Sequence, residues 1–297
     1  MHSFTYSTAA LWSDASATTH PGSPAPIIPS PSSDVLHRNN VRILGQGKPP
    51  LLLCNGSGYN QRMWHHLTTM LAAHHQVILF DHVGSGESDR RAYDGQKYDS
   101  LQGYARDVIE ICQALNLREA VLVGHSVGAT IAMLAANQAP EYFRRVVLLT
   151  PSPYYLNEPG YYGGFERENL QQLLDTMQTD YHGWAFGFAD LIMGPTNSPA
   201  LSEELGQFFW ETDAAIAQQF ARVTFFSDNR ADVPQLHLPT LVVLCQEDVV
   251  APTEVGAYLL AHLPQAKLVT LNTMGHCPQL SAPLETFAAI QHFLAAA

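Results

Sequence analysis

Ala120-Val121-Leu122-Val123-Gly124-His125-Ser126-Val127-Gly128 is the stretch on which the reading of this chain turns. A short apolar run leads into a serine placed between two glycines, and an alanine-rich stretch with helical character follows. G-x-S-x-G between a strand and a helix makes a turn so tight that it needs residues with almost no side chain on both flanks. The turn lifts the serine Oγ clear of the backbone at the carboxyl edge of a parallel sheet.

Outward from this turn, apolar runs and helical stripes alternate from about Val35, the pattern of an α/β fold with a mostly parallel, doubly wound sheet. Val41–Leu44 and Leu51–Cys54 flank Gly45-Gln46-Gly47 and predict a hairpin. Met63, Trp64, Leu67, Met70 and Leu71 mark one face of a helix. Val77–Phe80 reads as a buried strand ending at Asp81 and the loop Gly84-Ser85-Gly86. Leu101, Tyr104, Ala105, Val108, Ile111, Cys112 and Leu115 form another helical stripe. A helix to about Asn137 and a strand over Val146–Leu149 close the first half.

Between about Pro151 and Arg230 the rhythm changes. No strand-like run occurs there, whereas Leu170/Leu173/Leu174/Met177, Trp184/Phe188/Leu191/Ile192 and Ile216/Phe220/Val223 carry helical spacing. The stretch predicts an all-helical insertion after the sixth strand, where a lid over an active site would sit. Alternation resumes with Leu241–Leu244, a helix near Val255–Leu260, a strand over Leu268–Leu271 and a closing helix from Leu284. The predicted organisation is a core over 35–150 and 231–297, a helical lid over 151–230, and a disordered Pro/Ser/Thr-rich extension over 1–34. In that extension Pro21, Pro24, Pro26, Pro29 and Pro31 crowd together.

A serine hydroxyl is a poor nucleophile at neutral pH and needs a base within hydrogen-bond reach, itself oriented by a carboxylate. Leu241–Cys245 is followed by Gln246-Glu247-Asp248, and Leu268–Leu271 by Met274-Gly275-His276. Ser126, Asp248 and His276 therefore stand in the order Ser, acid, His at the ends of successive strands, the order of the α/β-hydrolase fold. Glu247 is the rival acid; Asp248 is preferred because it sits just before Val249-Val250-Ala251-Pro252. An oxyanion needs two backbone N–H donors. Val127, after the serine, supplies one, and Ser57 in Asn55-Gly56-Ser57-Gly58 is expected to supply the other. Ser57 itself lies in G-S-G and starts no triad order, and Gly84-Ser85-Gly86 lacks the context of a dinucleotide fingerprint.

Composition narrows the class. With 297 residues, 46% hydrophobic and 14% charged, the chain can bury one large core. Fifteen Lys+Arg against 27 Asp+Glu give a net charge of −12, which argues against nucleic acid or an anionic membrane as partner. No apolar run approaches the roughly 20 residues that span a bilayer. Four cysteines without a C-x-x-C pair predict reduced thiols, and the absence of a basic or apolar leader predicts a cytoplasmic protein. Fourteen scattered histidines without H-E-x-x-H or comparable spacing predict no metal, and no cofactor is expected.

With these residues placed, the chain resembles the small α/β-hydrolases that include the bacterial stress-sigma-factor regulator RsbQ and the plant strigolactone and karrikin receptors, the bacterial branch more closely. The likeness runs from His37-Arg38-Asn39-Asn40-Val41 to the last helix. It is carried by Phe80–Gly86, Gly124–Gly128, Pro151–Asn157, Gly163–Glu166, Phe226-Ser227-Asp228 and Gly275-His276-Cys277-Pro278. The resemblance implies a four-helix, V-shaped lid over an apolar pocket. Position by position it implies that Tyr155, Trp184, Phe188, Phe208, Phe225 and Val249 line that pocket, with His125 beside the nucleophile. The family's early loop usually reads H-G-F-G; Ser57 in place of the phenylalanine leaves the N–H donor but opens and polarises the pocket mouth.

Two functions of different class follow. One is a serine hydrolase that cleaves a small, largely apolar ester or lactone through an acyl-enzyme. The other, motivated by the resemblance, is a ligand-sensing signalling protein with slow or single-turnover hydrolysis and a protein partner docking on the lid. Lyase or peroxidase chemistry on the same triad is a third possibility, since fold alone does not settle function.

Overall fold

The computed structural model describes residues 31–296. The expected extension falls outside the described residues up to residue 30; Pro31–Arg38 is helix α1, so the predicted boundary at 34 lies inside a helix. The strands are β1 (Arg42–Leu44), β2 (Leu51–Cys54), β3 (Val77–Leu79), β4 (Ala120–His125), β5 (Phe143–Leu149), β6 (Thr240–Glu247) and β7 (Ala266–Met274). Helices α2 (His65–Ala72), α3 (Leu101–Ala114) and α4 (Val127–Gln138) link β2 to β5 in turn. Helices α5 (Arg167–Thr179), α6 (Tyr181–Met193), α7 (Pro199–Glu211) and α8 (Ala214–Phe226) fill the interval between β5 and β6. Helices α9 (Thr253–His262), α10 (Pro278–Ser281) and α11 (Pro283–Ala295) complete the chain.

The strands form one sheet in the order β1-β3-β2-β4-β5-β6-β7, parallel except for β1. The expected hairpin between β1 and β2 does not form. β3 lies between them, antiparallel to β1 with Arg42 opposite Leu79 and parallel to β2 with Leu51 opposite Val77. Burial explains the arrangement: every residue of β2 is buried and its backbone needs partners on both edges, whereas Ile43 and Leu44 of β1 are exposed and suit an edge. Between these strands the chain runs against the end of α2, where Gln76 N–H donates to Gly47 O at 2.8 Å.

The helical insertion follows the fifth strand rather than the sixth. The first half forms five strands among the described residues, and the segment before β1 is helix α1. Three of the insertion's four helices carry side-chain caps at their starts: Asp180 accepts from Gly183 N–H, Ser198 from Ala200 N–H, and Asp213 from Ala215 and Ile216 N–H. Such caps satisfy donors that a helix leaves free at its first turn, each contributing about 1 kcal/mol.

The sheet divides the core by the two-residue alternation of its strands. Leu51, Leu53, Val121, Val123, Val147, Leu149, Leu241 and Val243 pack with α2, α11 and the insertion. Leu52, Leu122, Val146, Leu148, Val242 and Leu244 pack with α3, α4 and α9. Complete burial of a Leu or Val contributes roughly 1.5–3 kcal/mol, so the central strands anchor the scaffold. Successive crossovers leave β2 to β3 and return past it to β4. That reversal of direction opens a crevice at the carboxyl ends of β2 and β4, where open α/β sheets hold ligands. Among the described residues no helix is long and apolar enough to cross a membrane.

Candidate active site

Ser126 sits at the turn from β4 into α4 with φ 57° and ψ −129°. A residue with a Cβ in that region is strained, and the surroundings hold it there: Ser126 N–H donates to Leu149 O and Ala129 N–H to Ser126 O, both at 2.9 Å. The flanking glycines are required by contact rather than by flexibility. A Cβ on Gly124 would lie 2.3 Å from Gly128 O, and one on Gly128 2.3 Å from Asn55 O and 2.5 Å from Cys54 O. The same contact seats the start of α4 directly against the loop after β2.

Ser126, Asp248 and His276 are brought together. His276 Nε2 lies 2.8 Å from Ser126 Oγ, across 150 residues of sequence, and His276 Nδ1 lies 2.8 Å from Asp248 Oδ2. The Asp248 carboxylate is fully buried and the His276 ring nearly so. Val250 N–H donates to Asp248 Oδ1 at 2.8 Å, leaving Oδ2 to the imidazole. Glu247, the rival acid, is exposed at the end of β6, and its carbonyl accepts from Gly275 N–H. His125 packs behind this line with its Nε2–H donating to the carbonyl of His276 at 2.8 Å. Burial, and then the neighbouring His276, hold its pKa well below the usual histidine value, so it stays neutral with Nδ1 bare.

The loop Asn55-Gly56-Ser57-Gly58 is fixed from beneath. Asn55 Nδ2 donates to Phe80 O at 2.8 Å, its Oδ1 accepts from Trp64 Nε1, and its carbonyl accepts from His82 Nε2 at 2.9 Å. Ser57 N–H has no backbone acceptor among the described residues, and Val127 N–H, at the first turn of α4, has none within its helix. A Cβ on Gly56 would meet the Tyr59 ring at 2.7 Å and His125 Nδ1 at 3.1 Å, so the loop closes directly over the elbow.

The insertion covers the carboxyl ends of the strands with aromatic rings. Trp184 and Phe188 stack at 5.4 Å; Phe225 meets Tyr155 at 5.3 Å and Phe188 at 6.5 Å. Phe208 belongs to the same buried cluster. It lies against the Arg62 guanidinium at 5.1 Å. Its neighbour Phe209, one residue and about 100° further round α7, packs on Tyr59 at 5.1 Å, Trp184 at 5.3 Å and Phe188 at 5.7 Å. Both adjacent phenylalanines are buried, on different neighbours. Val249 is 51% exposed and lies on the outer side of Asp248, in a cleft with Leu191, Asn197 and Met274. Within the buried aromatic region, His125 Nδ1, Tyr155 Oη and Trp184 Nε1 have no hydrogen-bond partner. Among the described residues no group of three or more His, Cys, Asp or Glu could hold a metal ion.

Residues 51–290 match the alpha/beta hydrolase family. The chain belongs to that family. It is 37% identical over 247 residues to the probable esterase D14L of Oryza sativa subsp. japonica, covering 82% of this chain and 91% of the relative. It is 35% identical over 246 residues to the karrikin insensitive 2 receptor CA of Petunia hybrida, with the same coverages. The strigolactone esterase D14 of Arabidopsis thaliana is 34% identical over 253 residues, covering 85% and 94%. Among solved structures, a hydrolase from Oleispira antarctica superposes with a TM-score of 0.88 at 37% identity, covering 90% of this chain and 98% of that one. The resemblance to the strigolactone and karrikin receptor group is borne out by these relatives. The hydrolase from Oleispira antarctica and the probable esterase D14L stand at the same identity, 37%.

Proposed function

We propose that this chain is a serine hydrolase acting on a small, largely apolar ester or lactone. Ser126 Oγ attacks the acyl carbonyl while His276 Nε2 takes its proton, giving a tetrahedral oxyanion. His276 returns that proton to the leaving alkoxide as the ester bond breaks, leaving an acyl group on Ser126. Water, deprotonated by His276, then releases the acid and restores the serine. Asp248 holds the imidazole in the required tautomer and stabilises the imidazolium, and the Ser57 and Val127 N–H groups hold the oxyanion. The observation that carries this reading is the line from Ser126 Oγ through His276 to Asp248 Oδ2, with 2.8 Å at each step. The aromatic rings of the helical insertion, acting as a lid, favour an apolar acyl or alcohol group. The bare atoms on His125, Tyr155 and Trp184 leave places for a few polar atoms of the ligand.

A second reading is favoured by the relatives named as receptors: the same pocket senses a small molecule, cleaves it slowly, and the lid docks a protein partner. Time-resolved intact mass with p-nitrophenyl acetate, alongside product release, separates the two. The hydrolase gives an acyl adduct on wild type, many turnovers, and a loss of roughly 10⁴-fold or more in Ser126→Ala. An adduct that forms once and clears slowly supports the sensor. Retained turnover by Ser126→Ala overturns both.

A further inference from the structure

The turn that carries His276 is suspended between the sheet and the helical insertion. On the sheet side its carbonyl accepts from His125 Nε2 at 2.8 Å and from Thr150 Oγ1 at 2.9 Å. On the other side its N–H donates to the carbonyl of Ile192, in the last turn of α6, at 2.7 Å. A Cβ on Gly275 would lie 2.5 Å from the carbonyl of Met193, so the turn is pressed flat against that helix end.

A helix leaves its last four carbonyls without internal partners. Here the carbonyl of Ile192 takes its donor from the histidine turn, and that of Met193 takes one from Asn197, in the connection between α6 and α7. Asn197 Nδ2 donates to Met193 O at 2.6 Å and to Met274 O, at the end of β7, at 2.9 Å. The two protons of one amide thereby join the insertion to the strand that delivers His276. Asn197 is half-buried and makes no hydrogen bond to Ser126, Asp248 or His276 among the described residues.

We propose that Asn197 is a positioning residue for His276, an inference that rests on the hydrolase reading above. By fastening the end of α6 to the end of β7, it keeps the Ile192 carbonyl on the His276 N–H and the imidazole between Ser126 and Asp248. Movement of α6 away from the sheet would part the Ile192–His276 bond and take the base out of line. The position of the insertion thus sets whether the serine is activated.

The test uses the full chain carrying Asn197→Ala or Asn197→Leu, the second keeping the branched outline without the amide. With a short p-nitrophenyl ester, kcat falls about tenfold while KM stays within twofold, because the base is displaced and the aromatic pocket is untouched. Amide hydrogen exchange rises in peptides covering 190–195 and 272–278, and is unchanged in the elbow peptide 120–130. Unchanged kcat in both variants overturns the proposal. So does a loss of activity accompanied by faster exchange throughout the chain, which marks a structural role alone. If Ser126→Ala retains turnover, the hydrolase reading fails, and the exchange measurement still reports whether Asn197 holds the histidine turn.

Discussion

Thr150 Oγ1 and the carbonyl of His276 are 2.9 Å apart, a hydrogen bond that ties the end of β5 to the turn after β7. Thr150 is fully buried, holds φ 44°, and donates its own N–H to Val243 O at 2.7 Å. With His125 reaching the same oxygen, two strands fix the backbone from which the imidazole projects. A hydrogen bond of this kind contributes about 1 kcal/mol, a factor of about five. Thr150→Val, similar in shape, should lower kcat about fivefold with KM unchanged, and Thr150→Ser should restore it. Steady-state kinetics on the three proteins checks this.

The two neighbouring acids should separate cleanly. Asp248 alone reaches the imidazole, whereas Glu247 faces solvent. Asp248→Asn should drop kcat about 10⁴-fold by favouring the wrong histidine tautomer. Glu247→Gln should change it less than about twofold, since an exposed carboxylate contributes little. Ester turnover with matched circular dichroism spectra decides the assignment.

Phe209 and Phe208 make an adjacent pair with different expected roles. Phe209 touches Tyr59, Trp184 and Phe188, so Phe209→Ala should raise KM for apolar esters and cost roughly 3–5 kcal/mol of stability. Phe208→Ala removes the ring beneath Arg62 and should leave KM within about twofold, though it also costs stability through its buried ring. A KM comparison across acyl chain lengths, with urea unfolding of each variant, tests the pair.

Two buried imidazoles give stability a pH dependence. Burial lowers the pKa of His82 and of His125, in the second case well below the usual value. An unfolded chain therefore binds protons at these positions that the folded chain refuses. Stability is fully present above the unfolded value of about 6.5 and is lost as pH falls through it toward the folded values. Each histidine contributes at most about 1.4 kcal/mol per pH unit in that window. The urea midpoint should fall between pH 7.5 and pH 5.5, and a flat midpoint would contradict the neutral assignment.

Much of this arrangement was legible in the sequence because it depends on short-range geometry. The glycines around Ser126 announce a backbone so close to its neighbours that no Cβ fits, and Asp248 and His276 follow strands whose apolar runs are plain. What misled was pairing between strands. Gly45-Gln46-Gly47 has the composition of a hairpin turn, yet which edge accepts β1 depends on Val77–Leu79, a segment further along the chain. Which neighbours Phe208 and Phe209 each meet likewise depends on how α7 is rotated against α6, which an apolar pair does not encode. Thr150 and Asn197 gave no signal, because each acts on a backbone carbonyl brought near only by the completed fold.

β7 is the outermost strand on its side of the sheet, bonded to β6 alone, and only Leu271 along its length is buried. β4, which delivers Ser126, is buried throughout and paired on both sides. Ser126 and His276 are thus mounted on parts of unequal durability. Under gentle warming or dilute urea the margin carrying His276 should loosen while the centre carrying Ser126 stays folded. The molecule should then fall silent as a catalyst before it melts, and regain its activity on cooling without having to refold.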